Sequence, residues 1–248
     1  MAENWAPQAL TLDLDDTLWP VWPTIARAER MLRDWLIERA PATIALHDQA
    51  AMATLRRQVV HAHPDWAHDL SALRRETIRR ALLAGGDDPA LAEPAFEVFF
   101  AARQQVTLYD DALPALQRLA ARWPIVAVSN GNADLARVGL AQYFVAAFSA
   151  RQFGVGKPAA GIFHAACAAA RAAPDRVLHV GDDPALDVDG ALAAGLRAAW
   201  VQRQTESAVA PAFAPATGLP AGQLQAVPQG APHFHVASLT ELADHLGA

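Results

Sequence analysis

The sequence predicts an α/β fold, a doubly wound parallel sheet interrupted by an all-helical insert. Three observations carry this expectation. Short, near-continuously apolar runs recur along the chain, as they do in strands buried on both faces of a parallel sheet. Amphipathic helical segments alternate with those runs. One long stretch, residues 20–106, contains no such run and reads as helical throughout.

The first strand is read at Ala9-Leu10-Thr11-Leu12-Asp13 and the second at Ile125-Val126-Ala127-Val128-Ser129. Val177-Leu178-His179-Val180 and Ala198-Ala199-Trp200-Val201 follow, and Ala146-Ala147-Phe148-Ser149 is a weaker candidate. Leu113, Leu116 and Leu119 mark a helix over 112–122 that Pro124 ends before the second strand. Val188, Ala191 and Leu192 mark another over 187–194, with Gly195 as its C-cap. Within the insert, three apolar stripes have helical spacing. They are Ile25/Ala28/Leu32/Trp35/Leu36, Leu70/Leu73/Thr77/Ala81/Leu82 and Ala95/Val98/Phe99, punctuated by Pro41, Pro64, Pro89 and Gly85-Gly86. Residues 203–232 hold five prolines and three glycines with little periodicity and read as a long loop or partly disordered segment. Phe234-His235-Val236 and a short helix from Thr240 close the chain.

Composition narrows the function. The 248 residues are 53% hydrophobic, enough for a sizeable core, and carry a net charge of −6. That balance offers no broad basic field for a nucleic-acid backbone. No apolar run approaches the roughly 18 residues of a membrane span, and no basic segment followed by an apolar run opens the chain. The expectation is a soluble, cytoplasmic protein. The single cysteine, Cys167, excludes an internal disulfide framework and a Cys-based zinc site. Nineteen arginines stand against one lysine, Lys157. A compact ammonium on a flexible stem does what a planar fork cannot, so the exception points to chemistry at that position.

Ligands of open α/β sheets bind outside the carboxyl ends of the strands. The first strand ends in Asp13-Leu14-Asp15-Asp16-Thr17, the second in Ser129-Asn130-Gly131, and the third in Gly181-Asp182-Asp183 with Asp187 close behind. Lys157 sits in Gly156-Lys157-Pro158 between the last two. The topology brings carboxylates, a hydroxyl and an ammonium to one edge. Crowded carboxylates raise one another's pKa, a cost that a divalent cation removes. An all-oxygen donor set favours a hard ion, Mg²⁺ first. Metal, lysine and hydroxyl together attract a phosphate. Carboxylate attack at phosphorus would then form an aspartyl-phosphate, with a second acid two residues on to protonate the leaving oxygen and activate water. Each segment alone would also serve as a turn or a helix cap; the four together, in this order, favour a site.

These four segments, Asp13-Leu14-Asp15-Asp16-Thr17-Leu18, Ser129-Asn130-Gly131, Lys157-Pro158 and Gly181-Asp182 with Asp187, resemble the four motifs of the haloacid dehalogenase superfamily. The resemblance implies a Rossmann-like core, residues 1–19 and 107–248, with a helical cap over 20–106. It implies Asp13 as nucleophile and Asp15 as general acid/base. Ser129 and Lys157 would hold phosphoryl oxygens. Mg²⁺ would be held by Asp13, the backbone carbonyl of Asp15, and Asp182, with Asp183 and Asp187 supporting. Asp16, Asn130, Gly131 and the cap residues His68 and Arg74 are candidates for substrate contact.

The segments Asp15-Asp16-Thr17-Leu18-Trp19, His68-Asp69-Leu70, Asn130-Gly131-Asn132-Ala133 and Leu178-His179-Val180-Gly181-Asp182-Asp183 more closely resemble the flavin mononucleotide phosphatase branch. That branch also dephosphorylates a ribitylamino-uracil intermediate, so the implied partner is a small phosphorylated metabolite. Trp19 and Trp22 read as packing at the hinge between core and cap. Two rival readings are a 2-haloacid dehalogenase, against which Asp15 argues, and a phospho-acceptor signalling domain. The latter is about half this length and places its aspartate on a middle strand. Nothing in the sequence identifies a protein partner.

Overall fold

A computed structural model describes residues 5–203 and 227–248, so most of the proline-rich stretch read as a loop lies outside the described residues. The described chain divides into two compact units, residues 5–20, 107–203 and 227–248 in one and residues 21–106 in the other.

The first unit is built on six parallel strands: β1 (Ala9–Leu12), β2 (Ile125–Ser129), β3 (Ala146–Ser149), β4 (Val177–Gly181), β5 (Arg197–Val201) and β6 (Phe234–Val236). Their order is β3-β2-β1-β4-β5-β6, a doubly wound arrangement with β1 between β2 and β4. Register pairs Thr11 of β1 with Val126 on one side and His179 on the other. The strand ends at Asp13, Ser129 and Gly181-Asp182 are therefore neighbours. β1, β2 and β4 are buried along their whole length, which is why they read as near-continuous apolar runs. Val126, Val128, Ile162, Phe163, Val177 and Val188 are among the residues of the core behind them.

The second unit is helical. It contains α1 (Val21–Arg39), α2 (Pro41–Leu46), α3 (Gln49–Ala62), α4 (Leu70–Gly85) and α5 (Ala92–Arg103). The three predicted stripes fall on α1, α4 and α5. Ala28, Leu32 and Leu36 of α1 join Ile78 and Leu82 of α4 and Phe96 and Phe99 of α5 in one core. The punctuation is read correctly too. Pro41 opens α2, while Pro64 and Pro89 open single 3₁₀ turns. Gly86 caps α4 in the left-handed region at φ 80°.

The remaining helices belong to the first unit: α6 (Ala112–Ala120), α7 (Leu135–Val138), α8 (Ala150–Phe153), α9 (Ala160–Ala170), α10 (Gly190–Ala193) and α11 (Leu239–His245). One expectation needs correction. The helix read over 187–194 is α-helical only from Gly190, because Pro184–Asp189 forms a wider π-type turn. There the Val188 N–H reaches five residues back to the Asp183 carbonyl, at 3.2 Å. Such turns displace side chains from a helical register and recur at functional sites.

Candidate active site

The site grows from the carboxyl ends of β1, β2 and β4. Asp13 is the residue directly after β1, and its N–H donates to the Val180 carbonyl of β4. The residue is 7% exposed. The chain then turns back on itself. Asp16 takes a left-handed backbone, φ 58°, and its N–H donates to the Trp19 carbonyl at 2.8 Å. Aspartate tolerates that region better than most residues. The turn lets the fully buried Trp19 donate from Nε1 to Asp15 Oδ1 at 2.8 Å. Trp19 thus holds the second carboxyl, a role that reading it as packing alone missed.

Lys157 lies at the centre. Its ammonium is 2.5 Å from both Asp13 Oδ1 and Asp187 Oδ1. Its backbone is held by Asn130, whose Oδ1 accepts from the Lys157 N–H at 2.8 Å and whose Nδ2 donates to the Lys157 carbonyl at 2.9 Å. The Asn130 side chain, expected to meet substrate, is committed instead to the lysine loop. The fit is close, because a Cβ at Gly156 would overlap the Asn130 amide. Ser129 Oγ accepts from the Gly131 N–H at 2.9 Å, which leaves its own hydrogen to donate.

Asp187 is buried under the site at 1% exposure. Its Oδ1 accepts from Lys157 and from His179 Nε2, and its Oδ2 accepts from the Asp183 N–H at 2.9 Å. Gly181 leaves room for it, since a Cβ there would overlap the Asp187 carboxylate. Asp183 caps the π-type turn through Oδ1, accepting from the Ala185 and Leu186 N–H groups. Asp182 is fixed on two sides: Thr17 Oγ1 donates to its Oδ1 at 3.2 Å, and Trp200 Nε1 donates to its carbonyl at 2.9 Å. Arg203 pins the loop from the end of β5, with Nε and Nη2 on the Thr17 carbonyl, Nη1 on Asp111 and the guanidinium over the Tyr109 ring.

The electrostatics divide the carboxylates into two kinds. Burial raises Asp13 to about 7, Lys157 pulls the other way, and the Asp187 charge adds to the rise. Burial, then Asp13, Asp187 and Asp16, push Asp182 up as well. Burial also works against the Asp187 charge, yet Lys157 and His179 outweigh it and hold that carboxyl well below its usual range. The same two carboxylates outweigh burial at Lys157 and keep it an ammonium.

Asp13, Asp182 and Asp187 each offer an oxygen, all within 4.8 Å of one another. The donor chemistry suits a hard divalent cation. Both Asp187 oxygens already accept hydrogen bonds, so Asp13 and Asp182 are the better-placed ligands, and burial together with the crowding of carboxylates raises both of their pKa values, a cost that a cation would relieve. Without a cation, the folded chain binds those two protons more tightly than the unfolded chain does. Stability should therefore fall as pH rises from about 4 toward about 7, by on the order of a few kcal/mol; Asp187, held low, titrates below that window. Denaturation midpoints at pH 5 and pH 7.5, with and without Mg²⁺, check this: Mg²⁺ should stabilise more at the higher pH. Midpoints indifferent to both variables would refute the cation site.

Not every predicted residue joins this cluster. Asp16, half-buried, raises the Tyr109 phenol second to burial, to about 12. His68 and Arg74 belong to the helical unit. His68 lies two residues before α4. Arg74, expected to meet substrate, donates to Glu29 at 2.6 Å and stacks 3.5 Å over the Phe99 ring. Arg56 reaches the same carboxylate at 2.8 Å. Burial lowers the Arg74 guanidinium to about 10, but it stays charged beside Glu29. It is built into the packing of its own unit.

A model of haloacid dehalogenase-like hydrolases matches residues 7–195. Among curated proteins, the chain is 33% identical over 198 residues to the 5-amino-6-(5-phospho-D-ribitylamino)uracil phosphatase YigB of Escherichia coli strain K12, covering 78% of this chain and 83% of that protein. It is 34% identical over 220 residues to the phosphoserine phosphatase of Thermus thermophilus, covering 78% and 88%. Among solved structures, the 2-haloacid dehalogenase of Pseudomonas syringae pv. tomato DC3000 superposes with a TM-score of 0.83 at 34% identity, covering 97% and 98%. The family match spans every strand-end segment from which the site is built, and on that ground the chain belongs to the haloacid dehalogenase-like hydrolases.

Proposed function

We propose that the chain is a Mg²⁺-dependent phosphatase of small phosphomonoester metabolites, acting through a phosphorylated Asp13. The cluster at the strand ends is read as the heart of a catalytic core, residues 1–19 and 107–248, with 20–106 as its cap. The observation that carries the activity is the pair of carboxyls two residues apart, Asp13 against the ammonium and Asp15 pinned by Trp19. An alkoxide leaving group needs a proton and a departing halide does not, so a positioned second acid fits phosphate ester cleavage better than dehalogenation.

In the first step the Asp13 carboxylate attacks phosphorus and the ester P–O bond breaks, while Asp15 gives its proton to the departing oxygen. In the second, Asp15 takes a proton from water, and the resulting attack at phosphorus breaks the bond to Asp13 and releases phosphate. Two of the three Lys157 ammonium hydrogens point at Asp13 and Asp187, which leaves the third for a phosphoryl oxygen. The Ser129 hydroxyl donates to another. A bound Mg²⁺, held by Asp13, Asp182 and the Asp15 carbonyl, supplies positive charge to the phosphoryl group.

A flavin-type or ribityl phosphate is the proposed substrate, supported by the identity to YigB and by the motif resemblance. Dehalogenation is the second reading, favoured by the Pseudomonas structure. One panel tests all three statements: phosphate release from flavin mononucleotide, ribityl phosphates, phosphoserine and hexose phosphates, and halide release from 2-haloacids. Phosphate release that stops on chelation is expected. Halide release without phosphate release would replace the activity. A phosphoserine or hexose phosphate preferred at least tenfold in kcat/KM, about 1.4 kcal/mol, would replace only the substrate. The cytoplasm is the proposed location.

A further inference from the structure

Beneath the proposed phosphoryl site, a line of hydrogen bonds crosses the middle of the sheet. Thr11 and His179 are register partners on β1 and β4, and both are fully buried. Thr11 Oγ1 lies 2.8 Å from His179 Nδ1, and His179 Nε2 lies 3.0 Å from Asp187 Oδ1. The imidazole meets the Phe163 ring edge-on. A polar ring this deep is costly unless both nitrogens are satisfied, and here both are.

The partners dictate where the protons sit. Asp187 is an ionised carboxylate and can only accept, so Nε2 carries the hydrogen. Burial holds the imidazole pKa down and the ring neutral. Nδ1 therefore offers a lone pair, and the Thr11 hydroxyl donates to it. Asp187 thus selects the tautomer, and a threonine on the neighbouring strand satisfies the remaining lone pair.

We propose that His179 is a positioning residue for this hydrolase: as its Nε2–H tautomer, with Nδ1 held by the Thr11 hydroxyl, it fixes the Asp187 carboxylate that aims the Lys157 ammonium at Asp13. This deepens the phosphatase reading and rests on it for its kinetic consequences. The physical need is plain. Lys157 reaches the site on four rotatable bonds, and its ammonium is shared between two carboxylates. Asp187 in turn stands on a π-type turn. One hydrogen bond from the Asp183 N–H leaves the carboxylate free to swivel; the second, from His179, fixes its plane. Groups that orient the residues touching a reacting centre commonly matter about 10–100-fold.

The test uses two amides of different reach. Glutamine can place its side-chain nitrogen near the position of Nε2, whereas asparagine reaches only as far as Nδ1. His179→Asn should lower kcat about 10–100-fold with KM little changed, because phosphate is still attracted to the site. His179→Gln should keep most of kcat. If the ring only fills space beside Phe163, both variants lose melting temperature together and neither separates kcat from KM.

The lone lysine gives a readout that needs no turnover. Protein carrying ¹⁵N at lysine Nζ yields a single side-chain ammonium signal, that of Lys157. It should be unchanged in His179→Gln and displaced, or lost to exchange with water, in His179→Asn. If His179→Asn does not fold, Thr11→Val carries the test, since it removes the hydrogen bond that holds Nδ1 at nearly constant volume and should loosen the ring and shift the Lys157 signal. Equal kcat in the Asn and Gln variants would overturn the proposal. So would a Lys157 signal indifferent to His179→Asn and Thr11→Val, or a ring proton found on Nδ1. A wild-type chain that releases no phosphate would instead overturn the phosphatase reading, and the ammonium signal would still decide the role of His179.

Discussion

Asp13→Asn should reduce phosphate release to background and leave no covalent adduct, whereas Asp15→Asn should lose about 10²–10⁴-fold and accumulate one. The asymmetry follows from the two steps. An amide is a poor nucleophile, so without the Asp13 carboxylate nothing attacks phosphorus. Without Asp15 an activated aryl phosphate still transfers its phosphoryl group, because its leaving group departs unprotonated. Hydrolysis of the adduct then waits on unassisted water. Trp19 continues to donate to an asparagine oxygen at position 15, so the loop should keep its shape. Mass spectrometry of quenched samples reads the result directly. An adduct on Asp13→Asn, or none on Asp15→Asn, would reverse or remove the assigned roles.

Lys157→Arg should be nearly as inactive as Lys157→Ala, within about tenfold of it. Lys157 is 5% exposed, and its ammonium holds two carboxylates on one nitrogen. A guanidinium is longer, flat and wider than that space, and it divides its hydrogens between separated nitrogens. Lys157→Ala leaves two buried carboxylates facing one another. It should also cost about 3–5 kcal/mol of stability, as expected when one partner of a buried ion pair is removed. Paired measurements of turnover and denaturation midpoint separate the effects. Near-wild-type turnover in the arginine variant would mean that charge alone matters at this position.

Much of this architecture is legible in the sequence, and what is not has a physical reason. Strands buried on both faces announce themselves as apolar runs, and the stripes of α1, α4 and α5 announce a shared core. α2 and α3 escape that reading. α2 is only six residues long, and α3 buries a single residue, Val59, so neither has a stripe to find. At the site, the charged residues at strand ends stand out because topology alone brings them together. The residues that hold them do not. Trp19, Thr17, Thr11 and Arg203 act through hydrogen bonds whose partners cannot be inferred from spacing. His179 sits inside an apolar run where a histidine reads as one more core residue, though a polar ring in a fully buried strand is a signal in itself. Asn130 and Arg74 show the converse. Their chemistry suits a ligand, yet the folded chain takes it up through the Lys157 backbone and the Glu29 carboxylate.

The central position of β1 also bears on when the protein becomes competent during folding. The Lys157 contact to Asp13 spans 144 residues, that of Thr17 to Asp182 spans 165, and that of Thr11 to His179 spans 168. No local segment can assemble a working fragment of the cluster, because β1 must first find partners encoded more than a hundred positions downstream. Contacts of such separation form slowly, while helices and their local packing form early. During refolding the helical signal of residues 21–106 should therefore run ahead, and turnover should return only with the last, sheet-forming phase. A chain released from the ribosome before residue 190 would carry Asp13 from the first moments of synthesis without the partners that surround it in the cluster.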